Sequence, residues 1–445
     1  MTNLKSSSQQ GISASRAALV ASLAMIVVVF ASQLPAQTLT VLHSFTGGHD
    51  GATPLAGLSM DASGALYGTA EKGGAGNGTV FKLAHVNGGW IFTPLYAFGG
   101  GSDGADPVAR VVFGPQNILY GTTEYGGTSG YCEGPVPGCG TVFALRPFPT
   151  TCRSSSCPWL ETVVRRFSDG GDFPQSEVVF DSAGNLYGSA YDGGALNPGG
   201  GNGCWPDCGV IYKLTPSNGS WTESVIYLFT GYQYGDDGAN PIGGLTFDSA
   251  GNLYGTASTY GNCGFGIAFQ LTPNGANWNE HRITDFCGAG YGGALPAASM
   301  IKDASGNLYG TTMGNYAGYG TQHGSVYEMS YSNGNWTVDN LYTFPQYGGG
   351  PAGQLLMDGA GNLYGTTVTG GINPNGTCSA DGCGLIFKLT PSNGSWTYSI
   401  LYEFTGGSDG AAPYSNLLMD SAGNFYGTAS AGGASGDGVV FQFTP

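Results

Sequence analysis

The chain has 445 residues and a formal net charge of −16, with 13 Lys and Arg against 29 Asp and Glu. Nucleic acid and anionic lipid both reward Lys and Arg, so this balance excludes them as expected partners, while acidity alone names no partner. Only 9% of residues are charged and 12% are aromatic, the reverse of the balance that keeps a chain disordered.

The first element is a leader. Lys5 and Arg16 precede or open an apolar run from Ala17 to Ala31, and a polar stretch follows, ending Leu34-Pro35-Ala36. This order and size predict a secretory signal peptide over residues 1–36; an uncleaved anchor needs about 20 apolar residues. A secreted, monomeric protein (extracellular, periplasmic or at the cell surface) with no membrane span after cleavage is the expectation.

From residue 37 to 445 the chain repeats itself. A variant of Leu-Tyr-Gly-Thr starts at Leu66, Leu119, Leu186, Leu253, Leu308, Leu363 and Phe425. Periods of 53 to 67 residues with strand-like content indicate a radial or solenoid array, since one unit cannot bury its own apolar face. Each unit reads as four strands. In the last stretch, Trp396 to Phe404 alternates as a strand, and Leu417 to Met419 is a short apolar strand. Asp420 to Asn424 is a tight turn, and Phe425 to Ala429 and Val439 to Phe443 are two more strands. The expected fold is all-β: a seven-bladed β-propeller with four antiparallel strands, a to d, per blade. Six strand-d tryptophans occur (Trp90, Trp159, Trp221, Trp278, Trp336, Trp396), one too few. Residues 39–45 look like a strand d with nothing before it, and residues 439–443 like a strand c with nothing after it. The N-terminal strand is therefore expected to complete the last blade, closing the ring and hiding its edges.

That topology puts b–c and d–a loops on one face and a–b and c–d loops on the other. The ten cysteines form local pairs, as an even number in an exported chain suggests. The expected disulfides are Cys132–Cys139, Cys152–Cys157, Cys204–Cys208, Cys263–Cys287 and Cys378–Cys383. The spacings lack the second Cys or His pair of a zinc site.

The Leu-Tyr-Gly-Thr cores, the Gly-Gly pairs that follow (Gly73-Gly74, Gly126-Gly127, Gly193-Gly194, Gly370-Gly371, Gly432-Gly433) and Val-Phe-x-Leu (Val80 to Leu83) resemble the GloVer tandem-repeat proteins, an exported bacterial group. The short strand, Asp-x-x-Gly-Asn turn and following strand also resemble NHL and sensor-type propeller repeats. The resemblance implies an exported repeat propeller and carries over no catalytic residues.

Candidate ligand-binding residues lie in the loops. Asp50, Asp103, Asp172 and Asp409 recur after a Phe, and Asp237 occupies a longer variant. A partial ring of these carboxylates around one mouth fits a cation or sugar hydroxyls; the plainer reading is an Asp-Gly turn. Tyr125, Tyr131, Trp205, Tyr260 and Tyr319 sit in the b–c insertions, where rings either stack on sugars or cover their own loops. The repeat tyrosines from Tyr67 onward read as core, and the a–b turn aspartates from Asp61 onward as turn formers. No nucleophile elbow, zinc-protease or P-loop motif occurs. No cofactor is expected, and a cation such as calcium has no motif behind it. The resulting expectation is a binding or scaffold module for extracellular glycan or a surface partner rather than an enzyme. The alternatives are a polysaccharide-acting hydrolase or lyase, and a purely structural envelope component.

Overall fold

A computed structural model describes residues 37–128, 132, 135–148, 159–168, 172–194, 208–231, 237–288, 293–314, 324–345, 349–373, 376, 378 and 381–445. The predicted leader, 1–36, lies outside them. Residues Leu39–Thr444 form one compact unit. It is a seven-bladed β-propeller in which every sheet has four strands. In blade 1, strand a is Ser59–Met60, b is Leu66–Ala70, c is Thr79–Val86 and d is Gly89–Ala97, all antiparallel neighbours. The seventh sheet takes its outer strand, Thr38–Ser44, from the start of the chain and pairs it with Val439–Thr444. The expected ring closure is observed, and Phe45 N–H donating to Gly438 O (3.0 Å) extends it past the strand.

Burial explains the repeated tetrapeptide residue by residue. All five residues of strand b are buried in every blade, because each sheet is covered on both faces by its neighbours. The Gly is required by the strand beside it. The fully buried Phe81 ring lies over Gly68, its register partner, and a Cβ there would sit 2.5 Å from the ring tip. The same clash recurs with Phe143, Tyr212, Phe269, Tyr327, Phe387 and Phe441.

The Tyr works in two directions. In six blades its hydroxyl donates to the a–b turn aspartate of its own blade, as Tyr67 does to Asp61 (3.0 Å) and Tyr426 to Asp420 (3.0 Å). Its ring meets the strand-d tryptophan of the next blade edge-on, at 5.9–6.3 Å, in six of the seven seams. The seventh, Tyr364, faces the outer strand that lacks a Trp. Leu39 packs there, and Phe425 takes up the space, 4.8 Å from Tyr364. That is why the last repeat begins with Phe instead of Leu. The turn aspartates Asp61, Asp181, Asp248, Asp358 and Asp420 are feebly basic for the same local reason. Burial alone would raise Asp61, but hydrogen bonds from Ser63, Ala65 and Tyr67 hold it below the ordinary carboxylate range.

The Thr joins blade to blade. Its hydroxyl donates to a backbone carbonyl of the following blade: Thr69 to Ala109 (3.0 Å), Thr122 to Ser176 (3.1 Å), Thr311 to Gly353 (3.3 Å) and Thr366 to Ser415 (2.8 Å). Ser189 does the same to Gly243 (3.3 Å). Thr428 to Ala56 (2.8 Å) carries the pattern across the junction of last and first blades. Accordingly the core is seven apolar clusters, one per seam, instead of one central mass.

Replacing Thr428 with Val should leave the buried Ala56 carbonyl unpaired and cost about 1–3 kcal/mol in denaturant unfolding. Gly68→Ala should cost a similar ~1–3 kcal/mol through overpacking. Adding Phe81→Leu to Gly68→Ala should recover part of that loss if the ring contact is its cause.

Candidate functional site at the channel mouth

Bridges such as Ala52 to Lys72, Ala105 to Tyr125 and Ala411 to Ala431 tie five of the d–a loops to a b–c loop, so these loops share a face as expected. The Cys263–Cys287 disulfide crosses between the same two loop types, and Cys132–Cys139 and Cys378–Cys383 close b–c loops. Cys208 is disulfide-bonded, while its expected partner Cys204 and the pair Cys152–Cys157 lie outside the described residues.

Each d–a loop then turns down the channel at a proline: Pro54, Pro107, Pro174, Pro241, Pro296, Pro351 and Pro413. The residue before it has positive φ in six blades, namely Thr53, Asp106, Phe173, Asn240, Leu295 and Ala412 (φ 52–59°). Proline normally pushes its predecessor to extended backbone, so this is a strained position. It is held by bonds to two blades: Phe173 N–H donates to Cys139 O (2.9 Å) and its carbonyl accepts from Tyr191 N–H (3.1 Å).

The strained corner aims the third residue after each proline into the channel. These residues are Gly57, Arg110, Glu177, Gly244, Ser299, Gln354 and Asn416, one per blade, and all line a single cavity of about 110 Å³. Arg110 Nε donates to Glu177 Oε2 (2.7 Å), and Ser299 Oγ donates to Glu177 Oε1 (3.1 Å). Glu177 from blade 3 thus passes over blade 4 to reach blade 5. Gly244 permits it, because a Cβ there would lie 2.4 Å from Ser299 Oγ and 2.9 Å from Glu177 Cγ. Asn416 crosses Gly57 in the same way.

A second charged group rims this cavity over blades 1 to 3. Gln175 lines the cavity and donates through Nε2 to Glu124 Oε1 (3.0 Å). Burial first, and then the charges of Asp106 and Glu71, push the Glu124 carboxyl up, against hydrogen bonds from Tyr125 and Gln175. Lys72 bridges Asp106 (2.6 Å) and Glu71 (2.9 Å).

Of the residues expected from sequence, Tyr125 belongs to this rim. Burial and Glu124 raise its hydroxyl to about 12, and its ring meets Phe173 at 5.4 Å. Tyr260 has positive φ and packs against the apolar cluster of blades 3 and 4. Tyr131, Trp205 and Tyr319 lie outside the described residues. The aspartates do not line the cavity. Asp50 accepts from Thr46 N–H and Oγ1 and contacts His43; Asp409 accepts from Thr405 and the Tyr402 hydroxyl. Asp103 and Asp237 accept from Tyr96 and Tyr227 and from the backbone of their own loops. Asp172 bridges Asp192 through the backbone. Its carboxylate lies near Cys132 and Cys139, whose sulfurs are spent in a disulfide and offer no thiolate to a metal.

Two of these aspartates face a glutamate across a seam. Burial and then Asp103 raise Glu161 to about 7; burial and then Asp237 raise Glu280 to about 7. Their folded forms hold a proton that the unfolded chain releases near 4.5. Stability from these sites is therefore full below about pH 4.5 and is lost as pH rises through 7. The double variant Glu161→Gln, Glu280→Gln should melt higher than the parent at pH 8, with the difference shrinking toward pH 5.

The cavity ring was missed in the sequence because its members share no residue type. The available signal was the proline recurring ahead of each strand a, followed at +3 by a position that differs in nearly every repeat.

This is the architecture of a repeat propeller, and the chain belongs to the Gloeobacter/Verrucomicrobia repeat family, whose model matches residues 26–201 and 199–380. No curated protein matches the sequence. Among solved structures, an ulvan lyase from a family of polysaccharide lyases is similar at TM-score 0.54 and 12% identity, covering 91% of this chain and 95% of that one. The periplasmic gluconolactonase of Pseudomonas aeruginosa is similar at TM-score 0.48 and 14% identity, over 92% and 99% of the two chains. An aldose sugar dehydrogenase of Streptomyces coelicolor follows at TM-score 0.42 and 11% identity, over 92% and 98%. The ulvan lyase acts on a polysaccharide, and that finding goes against the expectation of a non-enzymatic binding or scaffold module. At such identity the likeness shows the fold, so any catalytic residues must be argued from this chain.

Proposed function

We propose that the protein is an exported enzyme acting on an acidic polysaccharide, with its active site at the channel mouth. The observation that carries this reading is the Arg110–Glu177–Ser299 constellation, the one charged group among the described residues lining a cavity whose other walls are small and amide side chains with Leu55, Ile242 and Tyr414. The ulvan lyase propeller lends the same fold to carbohydrate chemistry, and the leader motif supports export.

The chemistry follows from the donor set. A cavity of about 110 Å³ receives the edge of one sugar unit while the chain lies across the mouth. The Arg110 guanidinium and the amides of Gln354 and Asn416 suit a substrate carboxylate, which a guanidinium grips with paired N–H groups. Neutralising that carboxylate acidifies the hydrogen on the adjacent carbon. Glu177 removes this proton as general base. The electron pair forms a carbon–carbon double bond, the bond to the glycosidic oxygen on the next carbon breaks, and that oxygen takes its proton from solvent water as it leaves. Elimination is favoured over hydrolysis because glycosidases place two carboxyl groups across the scissile bond. Among the described residues, Glu177 is the single carboxylate lining the cavity.

The test is incubation with uronate-containing polysaccharides, reading ultraviolet absorbance of the unsaturated product alongside reducing ends. Both signals are expected, and Glu177→Gln and Arg110→Met should each lower kcat/KM by ~10²-fold or more. Reducing ends without ultraviolet absorbance would replace elimination with hydrolysis. Neither signal across such substrates would sink the reading.

A further inference from the structure

The face opposite the channel mouth carries a second cleft, between blades 4 and 5. It measures about 360 Å³ and is lined by Tyr331, Trp336, Lys302, Gln270, Asn252 and Asn307, among others. The seam differs from its six siblings at two positions, and a lysine from the neighbouring blade stands in at a third. The last residue of strand a is Met60, Phe113, Phe180, Phe247, Met357 or Met419 elsewhere, but Lys302 here. The residue paired with the strand-d tryptophan is Pro147, Pro216, Pro273 or Pro391 in four blades and His85 in a fifth, but Tyr331 here. In blades 1, 3 and 6 a strand-c lysine (Lys82, Lys213, Lys388) covers the blade's own strand-b tyrosine. Blade 4 has Gln270 there, and Lys302 of the next blade supplies the cation, 5.6 Å from the Tyr254 ring centroid.

We infer that this cleft binds an acidic saccharide, as an anchoring site separate from the channel. Tyr331 is 59% exposed, the largest exposure among the big apolar side chains of the described residues. Its ring lies 5.1 Å from Trp336 at 50°, making an open aromatic corner. Such rings take the C–H face of a sugar with little ordering cost. The Lys302 ammonium lies 4.0 Å from Asp248 Oδ2, beyond hydrogen-bond reach. That oxygen already accepts from Asn252 and Tyr254. Lys302 therefore keeps donors for a ligand carboxylate or sulfate, and it is a rare cation in a chain of net charge −16. Gln270, whose Nε2 donates to the Tyr254 hydroxyl (3.0 Å), offers its amide oxygen to a sugar hydroxyl. The binding does not require catalysis at the channel, although it takes the same chemical class as the proposed substrate.

The test is calorimetric titration of the full chain with oligogalacturonate and with a neutral cello-oligosaccharide. The acidic probe should bind and the neutral one should bind at least about tenfold more weakly, since one charge-assisted contact is at stake. Lys302→Met and Tyr331→Pro install residues that sister blades already use, and each should weaken acidic binding about tenfold or more. Should Tyr331→Pro fail to fold, Tyr331→Ala at this exposed position gives the same reading. Arg110→Met, which alters only the channel, should leave this binding in place. The inference is overturned if the acidic probe does not bind, if both probes bind alike, or if binding survives the cleft variants and disappears with Arg110→Met. Failure of channel catalysis alone would leave it standing.

Discussion

The structure depends on one small contact repeated around a circle: a strand-b hydroxyl donating to a carbonyl of the neighbouring blade. A blade has no core of its own, so its apolar faces and this hydroxyl are satisfied only by the next blade. Six such bonds are formed, and the one from Thr428 to Ala56 joins residues 372 apart in sequence. Each is modest, about 0.5–1.5 kcal/mol net. Their placement matters more than their sum. Each acceptor is the second residue after a channel proline, so a slip would also move the +3 residues that line the channel.

Much of this architecture was legible in the sequence because it rests on residues that recur. The tetrapeptide, the Asp-Gly-Asn turns and the tryptophan spacing give blade number, strand order and closure. The count of six tryptophans located the borrowed strand, and Tyr364 shows what the missing indole does to its neighbourhood. The reason for Thr was not legible, since its partner is a carbonyl in another repeat. The channel ring was not legible for the opposite reason. Arg110, Glu177 and Ser299 share only an offset from proline, and nothing in one dimension says that those offsets converge. The Phe-Gly-Gly-Asp loops illustrate a third case. Their position on the channel-mouth face was read correctly, yet Asp50, Asp103, Asp237 and Asp409 spend their oxygens holding the end of strand d.

Scaffold and chemistry are thus divided between different positions of the same repeat. Positions buried in a seam are nearly uniform, because each must meet the same neighbour. Positions that leave the seam, toward the channel or at the rims, are released from that constraint and differ from blade to blade. Both proposed ligand sites lie at such positions: Arg110 and Glu177 inside the ring, Lys302 and Tyr331 outside it. Two glycines, Gly57 and Gly244, show that even an absent side chain there is informative, since each clears a path for a longer one to reach across.

The borrowed outer strand also sets an order of events. Residues 38–44 are made long before their partner, 439–444, and stay unpaired until every intervening blade has been made. Closing so long a loop is less costly than its length suggests, since each doubling adds only about 0.6 kcal/mol. The delay is kinetic: contacts this distant in sequence form late. Until then the molecule is an arc with two sticky ends, and any prematurely terminated copy stays one. Completion of the circle is therefore the step that turns an array with two bare edges into one with none.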